Sequence, residues 1–506
     1  MSRFLKNTEE NVAPRDSVAH GLRWIGSAKV FTQIITWILT AVTVRFLRPE
    51  DYGLIATAGL FTTFATLLID GGMSGVLVSR RDMAAEQEGA AAMAVLLIAG
   101  VLGALIFVTA PLGSDYFHSP PLTRVLQVSA FYLPLAALTV VPLALQSKQM
   151  RFRQIALIFT LSSLVQGVST LGLAYLGKGY WALIVGNFLG TGLRACLLWT
   201  TLGRLLVPNF RLGALRSILS SSGHLIGQQL TYFATANFDI FLISRFGGAG
   251  VVGPYSLAKT LSHTALDQIA GIVNQISLPA FAAQPDANLQ LRGLIKIISL
   301  ASTVLFPLFW LMGALSQVGL PLVFGSRWAA VVVPFCAFCF ILPLRSVYTF
   351  LDSSVVGTGR TSTTFKNMLL WAAIMMPLLV IGVVTQSFGT AAYGAAIAWM
   401  IGFPIVFLAA ILRIARSFGA KVSDLLQPMW IPASCALLSC IAVEAVHLSL
   451  SSRLNAVILL GCEMLVGGIF YLLTIRQFGR GHYTQVLEML ARLFPYLRTA
   501  DRVPPG

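Results

Sequence analysis

The sequence predicts an all-α polytopic membrane protein with about fourteen transmembrane helices, and three observations lead to this fold class. Of its 506 residues, 56% are hydrophobic and only 11% are charged, whereas about 25% of the residues in a soluble domain are charged. The mean hydropathy is +0.80. Apolar stretches long enough to cross a bilayer, about 20 residues each, follow one another along the whole chain. A surface with so few charges requires lipid to cover much of it.

The predicted spans are joined by short connections, and no connection is long enough to form a separate soluble domain. The spans cover residues 21–44, 52–78, 88–111, 121–146, 154–177, 179–201, 216–243, 250–279, 293–316, 329–350, 367–386, 390–412, 427–450 and 455–475. Residues 1–20 are polar and carry no cleavable signal, so we expect a cytoplasmic N-terminal segment. Residues 477–506 form a tail in which 482–494 has the apolar stripe of an interfacial amphipathic helix. An unstructured soluble tail is the alternative.

The distribution of basic residues predicts the orientation. With the N-terminus inside, 24 of the 35 Lys and Arg residues lie in cytoplasmic segments, 7 lie in outer segments and four lie within spans. Because cytoplasmic loops retain positive charge, this distribution places both termini in the cytoplasm and favours the bacterial inner membrane. The net charge of +16 therefore reflects membrane topology. Nucleic-acid binding is disfavoured because the basic residues are scattered among apolar spans.

A weak internal repeat predicts two related lobes. Arg45, Phe46 and Gly53 in the first hairpin recur 200 residues later as Arg245, Phe246 and Gly253 in the seventh and eighth spans. Six spans separate the copies, so an axis along the membrane normal relates them. The predicted organisation is an N-lobe of six helices over 21–210, a C-lobe of six over 211–425, and two extra helices over 426–476.

No motif predicts an enzyme, a metal site or a cofactor. The chain lacks a phosphate-binding GxxxxGK[ST] loop, an HExxH pair and a nucleophile elbow. Cys336 and Cys339 form one CxxC within a predicted helix and have no second pair, so we expect them to be packing residues. The acids at the ends of spans, such as Asp51 and Glu88, are expected to be solvated surface charges.

Ionisable residues inside spans are the informative candidates, because charge in hydrocarbon is costly and normally faces a protein interior or a cavity. The eighth span carries Lys259, His263 and Asp267, spaced by four on one helical face. At about 1.5 Å per residue, His263 lies near the bilayer centre. Three ionisable groups favour a cavity wall, and a polar ladder that joins two helices is the alternative.

Further candidates lie in other spans, and their balance is cationic. The predicted substrate-binding residues are Lys29, Gln33, Arg194, Gln228, Asn237, Lys259, His263 and Arg345. The candidates for ion coupling are Asp70, Asp239 and Asp267. The alternatives are that Lys29, Arg194 and Arg345 snorkel to the inner surface, that Gln228 joins helices, and that Asp239 reaches water or pairs with Arg245. A cavity with more cations than acids suits a phosphate or pyrophosphate.

Four stretches of the sequence resemble the polysaccharide-transport (Wzx-like) flippases, in particular the exopolysaccharide exporter branch. They are residues 44–54 (VRFLRPEDYGL), 145–153 (LQSKQMRFR), 177–185 (GKGYWALIV) and 321–328 (PLVFGSRW). They extend from the first span to the tenth, in the order found in the family. This family belongs to the multidrug, oligosaccharidyl-lipid and polysaccharide exporter superfamily.

The resemblance implies a V-shaped pair of six-helix lobes that work by alternating access. The implied substrate is an undecaprenyl-pyrophosphate-linked oligosaccharide, flipped from the cytoplasmic to the periplasmic leaflet in exopolysaccharide or lipopolysaccharide biosynthesis. The implied partners are membrane lipids and the polysaccharide polymerase and chain-length or export proteins, and no nucleic acid. A cation-coupled multidrug exporter of the same superfamily is one alternative, and a membrane polysaccharide polymerase is another. The polymerase is disfavoured because every predicted outer connection is short.

Overall fold

The structure is a computed structural model that describes residues 32–71, 73–79, 85–202, 212–282, 287–357, 361–386 and 388–485. Over these ranges the chain is helical and contains no β-strand. The helices are α1 (Thr32–Phe46), α2 (Pro49–Asp70), α3 (Met73–Ser79), α4 (Ala85–Tyr116), α5 (Pro121–Lys148), α6 (Phe152–Tyr175), α7 (Tyr180–Leu202), α8 (Leu212–Phe246), α9 (Ala249–Ala282), α10 (Ala287–Ala314), α11 (Ser316–Phe324), α12 (Val332–Gly357), α13 (Thr361–Thr385), α14 (Ala391–Phe418), α15 (Val422–Leu450) and α16 (Ala456–Phe478). A 3-10 helix, Ser326–Val331, precedes α12.

The predicted fold class is confirmed. Among the described residues, 11 helical stretches are long and apolar enough to cross a membrane. Helices α1, α8 and α9 occupy the positions of the first, seventh and eighth predicted spans. Within the second predicted span, Gly71 adopts the left-handed conformation (φ 46°) and ends α2, and α3 begins at Met73. The predicted amphipathic helix over 482–494 lies mostly outside the described residues, which are helical over 480–485.

Two of the four stretches that carry the family resemblance meet at the start of α2. Pro49 occupies the first turn, where its missing N–H costs nothing. The Asp51 carboxylate accepts hydrogen bonds from the backbone N–H of Arg48 at 3.0 Å and of Tyr180 at 3.1 Å. Asp51 therefore caps α2 and ties it to the start of α7. Asp51 is half-buried and is a helix cap as well as a surface charge. The expectation that Glu88 is a solvated surface charge is wrong, because Glu88 is 4% exposed within α4.

The internal repeat at an offset of 200 is a physical contact. A Cβ atom on Gly53 would collide with the backbone of Ala249, and one on Gly253 would collide with the backbone of Pro49. Positions 49 and 249 are equivalent in the repeat, and so are positions 53 and 253. Each glycine therefore packs on the residue four positions before the other glycine. Such reciprocal contacts are typical of a local two-fold relation. Only glycine permits this approach, so both glycines are required by packing rather than by an unusual φ angle.

The chain divides into two compact units, Met1–Gly253 and Pro254–Gly506. The predicted division into lobes at 210/211 stays a prediction. The core of the first unit is formed by apolar and small side chains of α2, α3, α4, α5 and α7, for example Leu54, Ala91, Ala99 and Leu126. Alanines on α4 allow close approach to the neighbouring helices. Other large apolar side chains on α4 face outward, including Val108 with 73% of its surface exposed, as lipid contact requires.

The second unit has an apolar core and an anchored C-terminal segment. Leu266, Leu305, Phe309, Leu342 and Phe350 pack together. The Tyr471 hydroxyl of α16 donates to the carbonyl of Thr303 at 2.7 Å. The helical segment that follows α16 returns to α10, where His482 Nδ1 lies 2.9 Å from Ser299 Oγ.

Candidate functional site

Three of the predicted substrate-binding residues meet inside the second unit. His263 lies one turn after Lys259 on α9, and its Nδ1 lies 3.0 Å from the Lys259 carbonyl oxygen. Arg345 of α12 donates from Nη1 to His263 Nε2 at 2.5 Å. Arg345 thus meets, from a second helix, the face of α9 that carries Lys259 and His263, and whether that face lines a cavity or forms a polar ladder between helices stays a prediction. This geometry does not test the predicted roles of these residues in transport.

The hydrogen bonds fix the proton on His263. Because Arg345 can only donate, Nε2 must accept, and Nδ1 then carries the hydrogen and donates to the carbonyl of Lys259. This pattern is that of a neutral imidazole. The cluster therefore carries its positive charge on Lys259 and Arg345, with His263 as the neutral link between their helices.

Aromatic rings surround this cluster. The Arg345 guanidinium lies 5.6 Å from the Trp371 ring centroid and 5.9 Å from that of Trp399. Phe338, seven residues before Arg345 and so on the same face of α12, packs edge-on against His263 at 5.3 Å. Cation–π contacts restrict the guanidinium to one orientation. A restricted, planar guanidinium is the protein group best suited to a phosphate oxygen pair.

Among the described residues, the first unit holds one of the predicted cations, Arg194. The Arg194 guanidinium lies 4.4 Å from the Phe159 ring centroid. Its Nε is buried and has no hydrogen-bond partner. Thr191, one turn earlier on α7, donates to the Tyr132 hydroxyl at 3.4 Å. Arg194 thus has a single ring contact, and no second basic side chain is seen joined to it in the described part of this unit.

The remaining predicted residues of the first unit are dispersed. The Asn237 amide donates to the carbonyl of Phe233 on its own helix at 3.0 Å. Asp239 is 0% exposed, so the alternative that it reaches water is wrong. Arg245 is bonded to His118, with Nη1 2.5 Å from Nδ1. Gln33 on α1 and Asp70 at the end of α2 are half-buried.

Three predicted residues cannot be assigned to a site. Lys29 and the side chains of Gln228 and Asp267 lie outside the described residues, although the backbones of positions 228 and 267 belong to α8 and α9. The predicted i+8 member of the eighth-span ladder therefore stays a prediction.

Sequence reasoning missed several polar residues that adjoin Arg345. Trp371 and Trp399 were counted as apolar, although their rings contact the guanidinium. Asp352 fell two residues beyond the predicted tenth span, and Asn367 was the first residue of the eleventh. The structure extends α12 to Gly357 and begins α13 at Thr361, so both residues lie inside helices. A search for polar residues just beyond predicted boundaries would have found them.

Comparison with protein families gives one match and several relatives. The sequence model of the family described as "Polysaccharide biosynthesis protein" matches residues 42–333. The lipopolysaccharide biosynthesis protein WzxC of Escherichia coli K12 is 22% identical over 454 residues, which cover 87% of this chain and 89% of that protein. The teichuronic acid biosynthesis protein TuaB of Bacillus subtilis 168 is 21% identical over 462 residues, with 90% and 94% coverage. The succinoglycan biosynthesis transport protein ExoT of Rhizobium meliloti 1021 is 24% identical over 316 residues, with 62% and 64% coverage.

Two solved structures share the fold. The lipid II flippase MurJ in an inward closed conformation superposes with a TM-score of 0.73 at 14% identity, covering 90% of this chain and 99% of that one. An inward-facing multidrug resistance MATE family transporter superposes with a TM-score of 0.58 at 14% identity, covering 76% and 95%. At this identity the likeness concerns the fold alone. It agrees with the superfamily that the four sequence stretches indicate.

Proposed function

We propose, on the premise that the chain belongs to the polysaccharide biosynthesis protein family, that it is a flippase for a lipid-linked oligosaccharide. The substrate is an undecaprenyl-pyrophosphate-linked repeat unit. It moves from the cytoplasmic to the periplasmic leaflet by alternating access, and the polyprenyl tail stays in lipid while the polar head crosses the protein.

The observation that carries this proposal is the pair of basic residues, Lys259 and Arg345, next to His263 in the second unit. Arg345 is held by His263 and by two indole rings, and His263 is bonded in turn to the backbone carbonyl of Lys259. Basic side chains within a helical membrane unit normally face a protein interior or a water-filled cavity, where an anionic group can bind. A pyrophosphate supplies that anion in two adjacent phosphate groups, which match an arginine and a lysine.

The names of the relatives support the substrate class. Three of them are named for the biosynthesis of lipopolysaccharide, teichuronic acid and succinoglycan, and the succinoglycan protein is named as a transport protein. A drug exporter of the MATE kind also shares the fold. A site for cationic drugs needs acidic residues, however. Lys259 and Arg345 are basic, so we do not adopt that alternative.

A reconstituted assay tests the proposed function directly. The protein is placed in proteoliposomes with a short undecaprenyl-pyrophosphate oligosaccharide, and a membrane-impermeant lectin measures how much sugar crosses the bilayer. We expect the sugar to cross, and we expect the same oligosaccharide on undecaprenol without the pyrophosphate to cross much more slowly. Equal rates for the two lipids would contradict a role for the anionic head.

Substitutions of Lys259 then connect the assay to the site. Lys259→Arg keeps the charge and should retain part of the rate, limited by the different shape of the guanidinium. Lys259→Ala should lose most of the rate while the protein inserts normally, and Lys259→Glu should be the slowest because it repels the pyrophosphate. Lys421→Glu, a charge reversal at an exposed lysine of the same unit, is the matched control. A Lys259→Glu protein as fast as wild type would exclude contact between Lys259 and the substrate.

A further inference from the structure

A group of buried polar atoms without partners lies between α12 and α13 of the second unit. Among the described residues, Asp352 Oδ1, Thr364 Oγ1, the Asn367 amide oxygen and nitrogen, and Trp371 Nε1 are buried and make no hydrogen bond. Asn367 is only 1% exposed, yet neither end of its amide is satisfied. Such a group costs roughly 1–3 kcal/mol for each unpaired atom. Five in one place therefore indicate an occupant that supplies the missing bonds.

These atoms form a file that leads away from Arg345. Positions 364, 367 and 371 lie on one face of α13, at i, i+3 and i+7, and positions 345 and 352 lie on one face of α12. Trp371 is placed under the Arg345 guanidinium at 5.6 Å. The Thr364 hydroxyl lies beside the Asp352 carboxyl without meeting hydrogen-bond geometry. The file thus spans seven residues, about 10 Å, from Arg345 and Trp371 to Asp352 and Thr364, next to the α12–α13 connection.

The chemistry of the unsatisfied atoms selects water over a metal cation. Hard metal cations are held by oxygen ligands. Here the unpaired atoms include two N–H donor groups, from Asn367 and Trp371, as well as the oxygens of Asp352, Asn367 and Thr364. Water donates and accepts, and a buried water typically makes 2–4 hydrogen bonds. A short chain of waters therefore satisfies the whole set, and a single metal ion does not.

We propose that Asp352, Thr364, Asn367 and Trp371 enclose a chain of water molecules, and that Asp352 takes up and releases a proton through it. In the step, a hydronium ion gives its proton to the Asp352 carboxylate and leaves as water, so that the negative charge near Arg345 is removed. The reverse step restores the charge. This inference deepens the proposed function, since it assigns a proton-binding residue to the transport cycle, but the hydrated site stands on its own observations.

The surroundings of Asp352 favour a carboxyl that changes charge. Tyr348 lies one turn earlier on the same helix face and interacts with Asp352. On α14, Arg413 donates to the carbonyl of Lys366 at 3.0 Å, one residue before Asn367. Charged and titratable groups on α12 and on the inner parts of the helices packed against it are Arg345, Tyr348, Lys366, Arg413, Arg292 and Lys296. Five of these six are basic.

Infrared spectroscopy of the full-length protein in lipid nanodiscs tests the hydrated site without any transport assay. Wild-type protein should show a protonated-carboxyl band that titrates with pH and that shifts when H₂O is replaced by D₂O. The band should be lost in Asp352→Asn and kept in Asp239→Asn, a buried acid of the first unit used as the matched control. Asn367→Leu removes two of the unpaired atoms and should slow the D₂O shift of the same band.

The infrared results show whether the site around Asp352 contains water. Equal spectra for wild type and Asp352→Asn, or a carboxyl band that does not respond to D₂O, would overturn the proposal. If Asp352→Asn fails to fold, the D₂O response of the wild type and of Asn367→Leu decides the question alone. In proteoliposomes, the transport rate of the wild type should depend on internal pH and that of Asp352→Asn should not. A titrating Asp352 band in a protein that moves no lipid-linked sugar would refute the proposed function and leave the water chain intact.

Discussion

The two units of this protein differ in how many buried polar side-chain atoms lack a hydrogen bond among the described residues: two in the first unit, Gln146 Oε1 and Arg194 Nε, and seven in the second. In the first unit, many buried polar groups are satisfied locally: Thr57 donates to the carbonyl of Gly53, and Ser162 to that of Ile158. In the second unit, Arg345 and His263 are joined between helices, and a file of polar atoms beside them has no partner. A hydroxyl that is hydrogen-bonded within its own helix requires no ligand. Unsatisfied polar atoms at depth require an occupant, so the second unit is where the structure points to chemistry.

The two arginines offer the sharpest test of this comparison. Arg345→Ala should reduce transport by about 30-fold or more. The reason is that it removes the protein's half of the proposed charged pair between Arg345 and the pyrophosphate, and truncating one member of such a pair typically costs about 2–5 kcal/mol. Arg194→Ala, which removes a cation with a single ring contact, should reduce transport much less. Polymer output in a deletion strain at matched protein level measures both. Equal losses would mean that the first unit also contacts the head group.

The glycine contact tests how rigid the first unit is. Gly53→Ala places a methyl group against the backbone of Ala249 and should lower the free energy of unfolding by about 1–3 kcal/mol, the usual cost of overpacking. Gly59→Ala on the same helix meets no atom within 4 Å and should be neutral or slightly stabilising. Thermal stability in detergent measures the difference. Similar melting temperatures for the two variants would show that the contact at Gly53 yields easily.

Removing a side chain that is hydrogen-bonded within the protein should lower stability more than removing one that is not. Asp51→Ala deletes a helix cap and the bond to Tyr180, so it should cost about 1 kcal/mol of stability. Asn367→Leu replaces an unpaired amide by an apolar group of similar size and should cost less, because few protein hydrogen bonds are lost. Chemical denaturation in the same detergent compares them. A larger loss for Asn367→Leu would indicate that its amide has protein partners, and the contrast between the units would weaken.

The smallest expected effect concerns the C-terminal segment of the second unit. Burial lowers the pKa of His482 below its usual value of 6.5, and the hydrogen bond with Ser299 opposes this only partly. The free segment therefore binds a proton below about pH 6.5 while the docked segment does not, so docking weakens as the pH falls through this range. Hydrogen exchange of residues 480–485, corrected for the intrinsic rate, should rise at pH 5.5 relative to pH 7.5. The rise should be absent in His482→Gln.

The sequence by itself determined the class of fold, because it depends on composition and on runs of apolar residues. A chain with few charges and repeated apolar stretches of about 20 residues is expected to fold as a bundle of membrane helices. The repeat was interpreted as a sign of two related lobes, and only the structure shows that Gly53 and Gly253 lie in backbone contact, where packing needs the absence of a side chain. Spacing by four placed Lys259 and His263 on one face, which the helix geometry alone guarantees.

Only the tertiary structure decided which polar residues belong together. The link from His263 to Arg345 joins positions 82 residues apart, and no periodicity along one helix contains that information. Asp352 and Asn367 were lost to helix boundaries misplaced by several residues, because hydropathy falls before a helix ends when the last turns are polar. Asp51 was taken for a surface charge because its partner, the N–H of Tyr180, lies 129 residues away. Local sequence fixes the helix and its faces, whereas the partner across each face is set by packing.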